Sequence, residues 1–186
     1  DLENINNYKL YIFLNTVKIE EEQKQYIQTV LQKNGSSVLW FYKPGVIFGD
    51  TYDEERIADV TGINTNGEYD VLENQNEKVL YKQFEDYTSF YCEETTLSAD
   101  MFRKIAQMSG VHIYNVDNLP IYANSKLLAT HNPNGGKVFL KIPNADKFIA
   151  EDLYNNNQMI YCNNGILEAD TGIGEAKLYL LHTGGN

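Results

Sequence analysis

A strand–helix–strand pattern within residues 8–48 constrains the fold of this chain more than any other feature. The run Tyr8–Leu14 is almost continuously apolar or aromatic, which is typical of a short strand buried on both faces. A second such run, 38–42, stops at Pro44-Gly45. With a helix between them, these strands predict a βαβ unit with parallel strands and a right-handed crossover.

The intervening helix has clear start and stop signals. Glutamates at 20–22 favour the positive end of a helix dipole, and Asn34-Gly35 suits a left-handed C-cap. Between them, one apolar stripe at helical spacing consists of Tyr26, Ile27, Val30 and Leu31. The stripe predicts that this helix covers one face of a sheet.

Two further helices are predicted before residue 111. Thr51 and Glu54 have the spacing of a capping box for a short helix that ends at Gly62. Ser98 is expected to cap a helix that Gly110 closes.

The strands of this part are less clearly marked. Short strands are expected at 69–72 and 79–81, and the aromatic run 87–91 is a strand or a packed loop. The run 111–114 is expected to be the next parallel strand.

After about residue 120 helical periodicity disappears, and turn signals separate short apolar runs. The strand candidates are 138–142, 159–161, 165–169 and 177–181. An antiparallel layer of four to six strands is expected, either a small sandwich or an extension packed on the first half.

Charge and length limit the classes of partner. The 26 acidic and 15 basic residues give a net charge of -11, which disfavours nucleic acid and anionic membranes as partners. No apolar run is long enough to span a bilayer. The start at Asp1, without a signal-peptide pattern, suggests a piece of a longer, soluble chain whose location is unknown.

A ligand crevice is predicted where the parallel strands end, because open α/β sheets usually bind ligands at that edge. Its rim would consist of Asn15, Thr16, Tyr42, Lys43 and Asn115. Tyr42 could stack on a sugar, while Lys43 and the amides bind hydroxyl groups. The alternative is a turn shaped by the following Pro-Gly pair, without a ligand.

No catalytic residue, metal site or cofactor is expected. The three histidines lack metal-ligand spacing, and His112 is interpreted as a structural, hydrogen-bonded residue. Cys92 and Cys162 are interpreted as buried thiols, with a disulfide between them left open. The carboxylates at 50–55 are explained by capping and solvation.

Several segments resemble a known family. YKLYIFLN (8–15), QKNG (32–35) and VLWFYKPG (38–45) are similar to the β-galactosidase trimerisation domain of bacterial β-galactosidases of glycoside hydrolase family 42. Segment 110–131 resembles stretches where that domain passes into a C-terminal β-domain. The resemblance covers most of 8–131 and, more loosely, the remainder.

The resemblance implies an α/β, flavodoxin-like three-layer domain of the class I glutamine-amidotransferase type, with a mostly parallel sheet. It would span residues 1–118, followed by an antiparallel β-rich region at 119–186. The Gly-x-Cys-x-Gly elbow of amidotransferases is missing from the sequence. The family's catalytic carboxylates lie in a preceding (β/α)₈ barrel, so none transfers to this chain.

The expected role is that of a non-catalytic accessory or oligomerisation domain of a bacterial glycoside hydrolase. Its partners would be the catalytic barrel of a parent chain or sister subunits. The alternative is a carbohydrate-binding module that uses aromatic residues of the crevice or the β-region, since tyrosine is abundant (14 residues).

Overall fold

The computed structural model of the chain describes residues 8–144 and 146–183. Its internal contacts divide the chain into two compact units, 1–111 and 112–186. Each unit contains its own sheet. The division into separate domains at 1–118 and 119–186 stays a prediction.

The first unit contains a five-stranded sheet, a short hairpin and short helices. Its strands are β1 (Leu10–Phe13), β2 (Ser36–Phe41), β3 (Ile47–Phe48), β4 (Thr51–Tyr52), β5 (Asp70–Asn74), β6 (Glu77–Gln83) and β7 (Tyr87–Cys92). Its helices are α1 (Glu21–Tyr26), which continues as a π-helical turn (Ile27–Leu31), α2 (Arg56–Thr61) and α3 (Ala99–Met108).

The main sheet of this unit is mixed, with the strand order β1-β2-β7-β6-β5. Strands β1, β2 and β7 are parallel, β6 pairs antiparallel with β7, and β5 pairs antiparallel with β6. The predicted βαβ unit is confirmed by the pairing of β1 with β2 on either side of the helix. All six residues of β2 are buried, as its continuous apolar run predicts.

The two faces of this sheet carry separate apolar clusters because side chains alternate along each strand. Trp40 of β2 packs in one cluster with residues of the α1–π helix and α2. Leu39 and Phe41 pack in the other, with Met101 and Ile105 of α3.

The starts of the helices confirm one predicted cap and contradict another. Glu20 and Gln23 form a capping box, and Ser98 Oγ accepts a hydrogen bond from the backbone N–H of Met101 at 3.2 Å, as predicted for that cap. The predicted box of Thr51 and Glu54 is wrong. Thr51 lies in β4, where its hydroxyl donates to a backbone carbonyl, and the Glu54 carboxylate accepts from Lys43 instead.

The second unit is built on a seven-stranded antiparallel sheet with the order β10-β13-β12-β11-β14-β9-β8. Its strands are β8 (Ile121–Ala123), β9 (Leu127–Asn132), β10 (Gly136–Lys141), β11 (Lys147–Asp152), β12 (Gln158–Asn163), β13 (Ile166–Thr171) and β14 (Glu175–Thr183). All four predicted strands of this half are present, and β8, β9 and β11 were not predicted. The inner face encloses a core that includes Leu128, Leu140, Phe148 and Tyr179.

The predicted fold class is wrong. The described part of the chain is mostly antiparallel β, with 43% of its residues in strands and 16% in helices, and is not a helix-rich flavodoxin-like α/β fold with a mostly parallel sheet. The run 111–114 forms no strand, and β7 occupies the third parallel position. The physical reason is that helical crossovers are few, whereas hairpins such as β5–β6 add antiparallel strands.

None of the helices within residues 8–144 and 146–183 is both long and apolar enough to cross a membrane.

Candidate functional site

The carboxyl ends of β1, β2 and β7 lie at one edge of the first sheet because these three strands are parallel. Asn15 and Thr16 follow β1, Tyr42 and Lys43 follow β2, and a pair of glutamates follows β7. This edge is the crevice at which a ligand site was predicted.

Backbone hydrogen bonds hold the first two of these loops together. The N–H of Gly45 donates to the carbonyl of Thr16 at 2.9 Å, and the N–H of Ile47 donates to the carbonyl of Val17 at 2.8 Å. Gly45 has a φ of +71°, and a Cβ there would lie 2.6 Å from Val60 Cγ2. Glycine at this position therefore permits the close approach of α2 beneath the rim.

Tyr42 occupies an unusual backbone conformation at the rim, with a φ of +64°. Its N–H donates to the carbonyl of Cys92 at 2.8 Å, and its carbonyl accepts from the hydroxyl of Tyr91 at 2.9 Å. Its side chain remains 39% exposed. An αL conformation in a non-glycine residue costs free energy and often marks a functional site.

Lys43 forms an ion pair with Glu54, so its ammonium group already has a partner within the protein. Its ammonium group donates to the Glu54 carboxylate and, at 2.7 Å, to the Tyr52 hydroxyl. The Tyr52 hydroxyl in turn donates to Glu54 at 2.5 Å. These bonds raise the pKa of Lys43 and lower that of Glu54.

Two open cavities of the first unit share Thr65, Tyr91 and Glu93, and the larger of them is also lined by Glu54 of this cluster. The larger, about 620 Å³, includes four carboxylate residues and no lysine or arginine in its lining; the carboxylates are Glu54, Glu55, Asp59 and Glu93. The smaller, about 260 Å³, is also lined by Tyr69, Lys78 and Glu94. The carboxylates that line the larger cavity disfavour phosphorylated or carboxylated ligands there.

Burial controls the ionisation of the tyrosine between the cavities. Loss of hydration raises the pKa of Tyr91 to about 12, with a smaller contribution from the neighbouring Glu93. Tyr91 is therefore a neutral hydrogen-bond donor at physiological pH, and the backbone carbonyl of Tyr42 accepts its hydrogen bond.

Asn115 lies in the second unit, where its amide is engaged locally. Its Nδ2 donates to the Phe139 carbonyl at 3.0 Å, and its Oδ1 accepts from the Asp117 N–H at 2.6 Å. It follows no strand of the first sheet, because 111–114 is not a strand. The ligand-binding role predicted for the five residues stays a prediction.

Sequence reasoning missed Glu93 and Glu94. The signal for them is the aromatic run 87–91, which ends just before the two glutamates and is compatible with either a strand or a packed loop. Only a strand assignment would have placed the following glutamates at the crevice.

Other reactive side chains offer no activated group in the described part of the chain. Burial raises the pKa of both Cys92 and Cys162, which are free thiols. The His112 ring nitrogen Nε2 lies 2.7 Å from the Lys141 carbonyl, a structural contact. Residues 8–144 and 146–183 contain no group of three or more His, Cys, Asp or Glu side chains that could hold a metal.

Comparison with known proteins gives a likeness in fold. No family model matches the chain, and no curated protein matches it significantly. Among solved structures, the chain is similar to a crystal structure of a β-galactosidase from Bacillus circulans sp. alkalophilus, with a TM-score of 0.60 and 12% identity. The match covers 94% of this chain but only 33% of that β-galactosidase chain. Both units of this chain thus resemble one portion of a much longer protein.

Proposed function

We propose that this chain is a non-catalytic accessory module of a glycoside-hydrolase-related protein, acting through contacts with a catalytic barrel or with sister subunits. The observation that carries the proposal is its likeness, over 94% of its length, to one third of a β-galactosidase chain. A piece of that extent leaves most of such an enzyme to other segments.

The outer face of the second sheet supports a contact role. Strand registers align Met159, Glu151, Leu180 and Leu127 in one row across four strands, on the face opposite the core. A second row on this face consists of Tyr161, Ile149 and His182. A third row consists of Leu178, Ala129 and Tyr122.

Most of these side chains are apolar or aromatic, and several are well exposed. Tyr122 is 74% exposed and Tyr161 is 76% exposed, at opposite sides of the face. Exposed apolar clusters of this kind are typical of interfaces, where tyrosine is enriched. One polar pair lies among them, since His182 Nε2 contacts Glu151 Oε2 at 2.9 Å.

Sedimentation velocity over a range of concentrations tests the contact role. We expect the full chain to self-associate, and the double variant M159E/Y161E to lose that association without a change in circular dichroism. The control is Tyr154→Glu, an exposed aromatic on the turn after β11. A chain that stays monomeric at all concentrations contradicts assembly through sister subunits.

Activity assays on nitrophenyl glycosides test the non-catalytic part of the proposal. We expect no turnover above the uncatalysed rate with the full chain alone. Turnover that survives rigorous purification would show that this chain carries its own catalytic groups.

Carbohydrate binding at the crevice is the second candidate, supported by the partly exposed side chain of Tyr42, whose carbonyl accepts a hydrogen bond from Tyr91 in the wall of the acidic, open cavity. Calorimetric titration with galactosides distinguishes it from the accessory role. The expected signature is heat that disappears in Tyr42→Gly, while the association state is unchanged.

A further inference from the structure

A third cavity, with a mostly polar lining, lies within the second unit. It has a volume of about 340 Å³ and is formed by β11, β12, β13 and β14. Its polar lining includes Asp152, Asn155, Gln158, Asp170, Lys177 and Tyr179. This volume is sufficient for one six-membered sugar ring.

A buried ion pair forms part of its wall. Lys177 Nζ lies 3.2 Å from Asp152 Oδ2, and their side chains are 10% and 3% exposed. Lys177 also contacts Glu175 at 2.9 Å, and the other Asp152 oxygen accepts from the Tyr154 N–H at 3.1 Å. Charges this far from solvent need such partners, and these contacts supply them.

Unlike these charged groups, the Tyr179 hydroxyl has no hydrogen-bond partner among the described residues. Tyr179 is fully buried, lies opposite Asp152 across the β11–β14 pairing and is two residues from Lys177 on the same face. Its Oη has no hydrogen-bond partner among the described residues, and neither has Oγ1 of Thr130, which pairs with Lys177. A buried hydroxyl without a partner costs free energy that a ligand hydroxyl can recover.

The charge of the cavity selects the class of ligand. Carboxylates of Asp152, Glu168 and Asp170 repel an anion, and the Lys177 ammonium already occupies the position of a cation. The ligand groups that fit this cavity are therefore neutral groups that both donate and accept hydrogen bonds. Ile160 and Ala169 add an apolar part to the wall, against which C–H groups can pack.

We propose that this cavity binds a neutral, polyhydroxylated monosaccharide. The Tyr179 hydroxyl donates to one sugar hydroxyl, and the Asp170 carboxylate accepts from another. The inference does not depend on the accessory role, because it concerns a different surface and a different partner.

NMR titration of the isotope-labelled full chain tests the proposal with galactose, glucose, glucuronate and glucosamine as probes. We expect at least one neutral sugar to shift the amides of residues 152, 158, 170 and 177. Glucuronate and glucosamine should each bind more weakly than neutral glucose, because one is an anion and the other a cation. Tyr179→Phe should weaken binding about tenfold, as the loss of one hydrogen bond predicts, without lowering the melting temperature.

Matched variants separate a binding role from a structural one. Tyr154→Phe, on the exposed turn after β11, should bind as the wild type does. Asp170→Asn changes an exposed side chain and keeps its size, so it tests the site even if Tyr179→Phe fails to fold. It too should weaken binding.

Three results would overturn the proposal. The first is the absence of shifts with either neutral sugar, and the second is shifts confined to the first unit. The third is unchanged affinity in a folded Tyr179→Phe protein or, where that variant is unfolded, in Asp170→Asn.

Discussion

The hydroxyl of Tyr91 donates a hydrogen bond to the backbone carbonyl of Tyr42 across 2.9 Å, joining the ends of two parallel strands. Replacing Tyr91 by Phe leaves that carbonyl without its side-chain partner. We expect the free energy of unfolding to fall by about 1 kcal/mol. Urea denaturation measures it, with the exposed Tyr122→Phe as the control that should not change. Equal midpoints for Tyr91→Phe and wild type would show that this bond contributes nothing.

The φ of +64° at Tyr42 predicts an inverted order of substitutions. Glycine adopts this conformation freely and alanine does not, so Tyr42→Gly should be more stable than Tyr42→Ala by about 1 kcal/mol. Thermal denaturation of both variants measures the difference. At the exposed helical position Gln107 in α3, the alanine variant should instead be the more stable. The same order at both positions contradicts strain at Tyr42.

Breaking the buried pair of Lys177 and Asp152 should be costly, because Lys177→Met leaves a carboxylate buried with its ammonium partner gone. We expect a loss of about 3 kcal/mol in the free energy of unfolding, measured by denaturant titration. The matched control is Lys137→Met. It removes an ion pair with Glu168 whose side chains are 59% and 51% exposed, so little change is expected there. Similar losses in both variants would show that burial does not set the cost.

Gly45→Ala should destabilise the rim for two reasons, its φ of +71° and the approach of the new Cβ to 2.6 Å from Val60 Cγ2. Gly49→Ala separates these effects, because Gly49 has a φ of +56° but no atom within 4 Å of its ideal Cβ. We expect about 1 kcal/mol lost at Gly49 and roughly 1–3 kcal/mol more at Gly45. Melting curves of the two variants measure this, and equal losses would contradict the steric contribution.

Alkaline pH should destabilise the fold through two tyrosine hydroxyls, those of the partly buried Tyr87 and the buried Tyr91. Burial raises the pKa of Tyr87 and Tyr91 from 10.0 to about 12. Because the folded state favours the neutral phenol, this stabilisation is complete below pH 10. It is lost as the pH rises towards 12. Melting temperature against pH, followed with phenolate absorbance, measures the effect. The decline should be shallower in Tyr91→Phe and unchanged in Tyr122→Phe.

Local signals predicted the elements of this chain better than their arrangement. The Ser98 cap and the glycine end of α2 at Gly62 were predicted from neighbouring residues alone, and both are present. Val30 shows the limit of such reasoning. It fits the apolar stripe of the first helix, yet it is 43% exposed because the helix widens into a π turn.

Local signals also explain why only part of the candidate site could be placed from the sequence. Asn15, Thr16, Tyr42 and Lys43 lie where the ends of β1 and β2 place them, and strand ends can be recognised locally. Asn115 would join this edge only if 111–114 were a strand of the first sheet, and 111–114 is not a strand. The ion pair of Lys43 with Glu54 joins residues of different elements, and no local pattern indicated it.

The sequence by itself determined where most strands and helices begin and end, because caps, glycines and apolar periodicity act over a few residues. Only the tertiary structure decided that β7 is the third parallel strand, that β6 pairs antiparallel with β7 and β5 with β6, and that β8, β9 and β11 complete the second sheet. Strand pairing depends on contacts between distant residues, and an apolar run is compatible with several partners. Packing of the whole unit selects one of them.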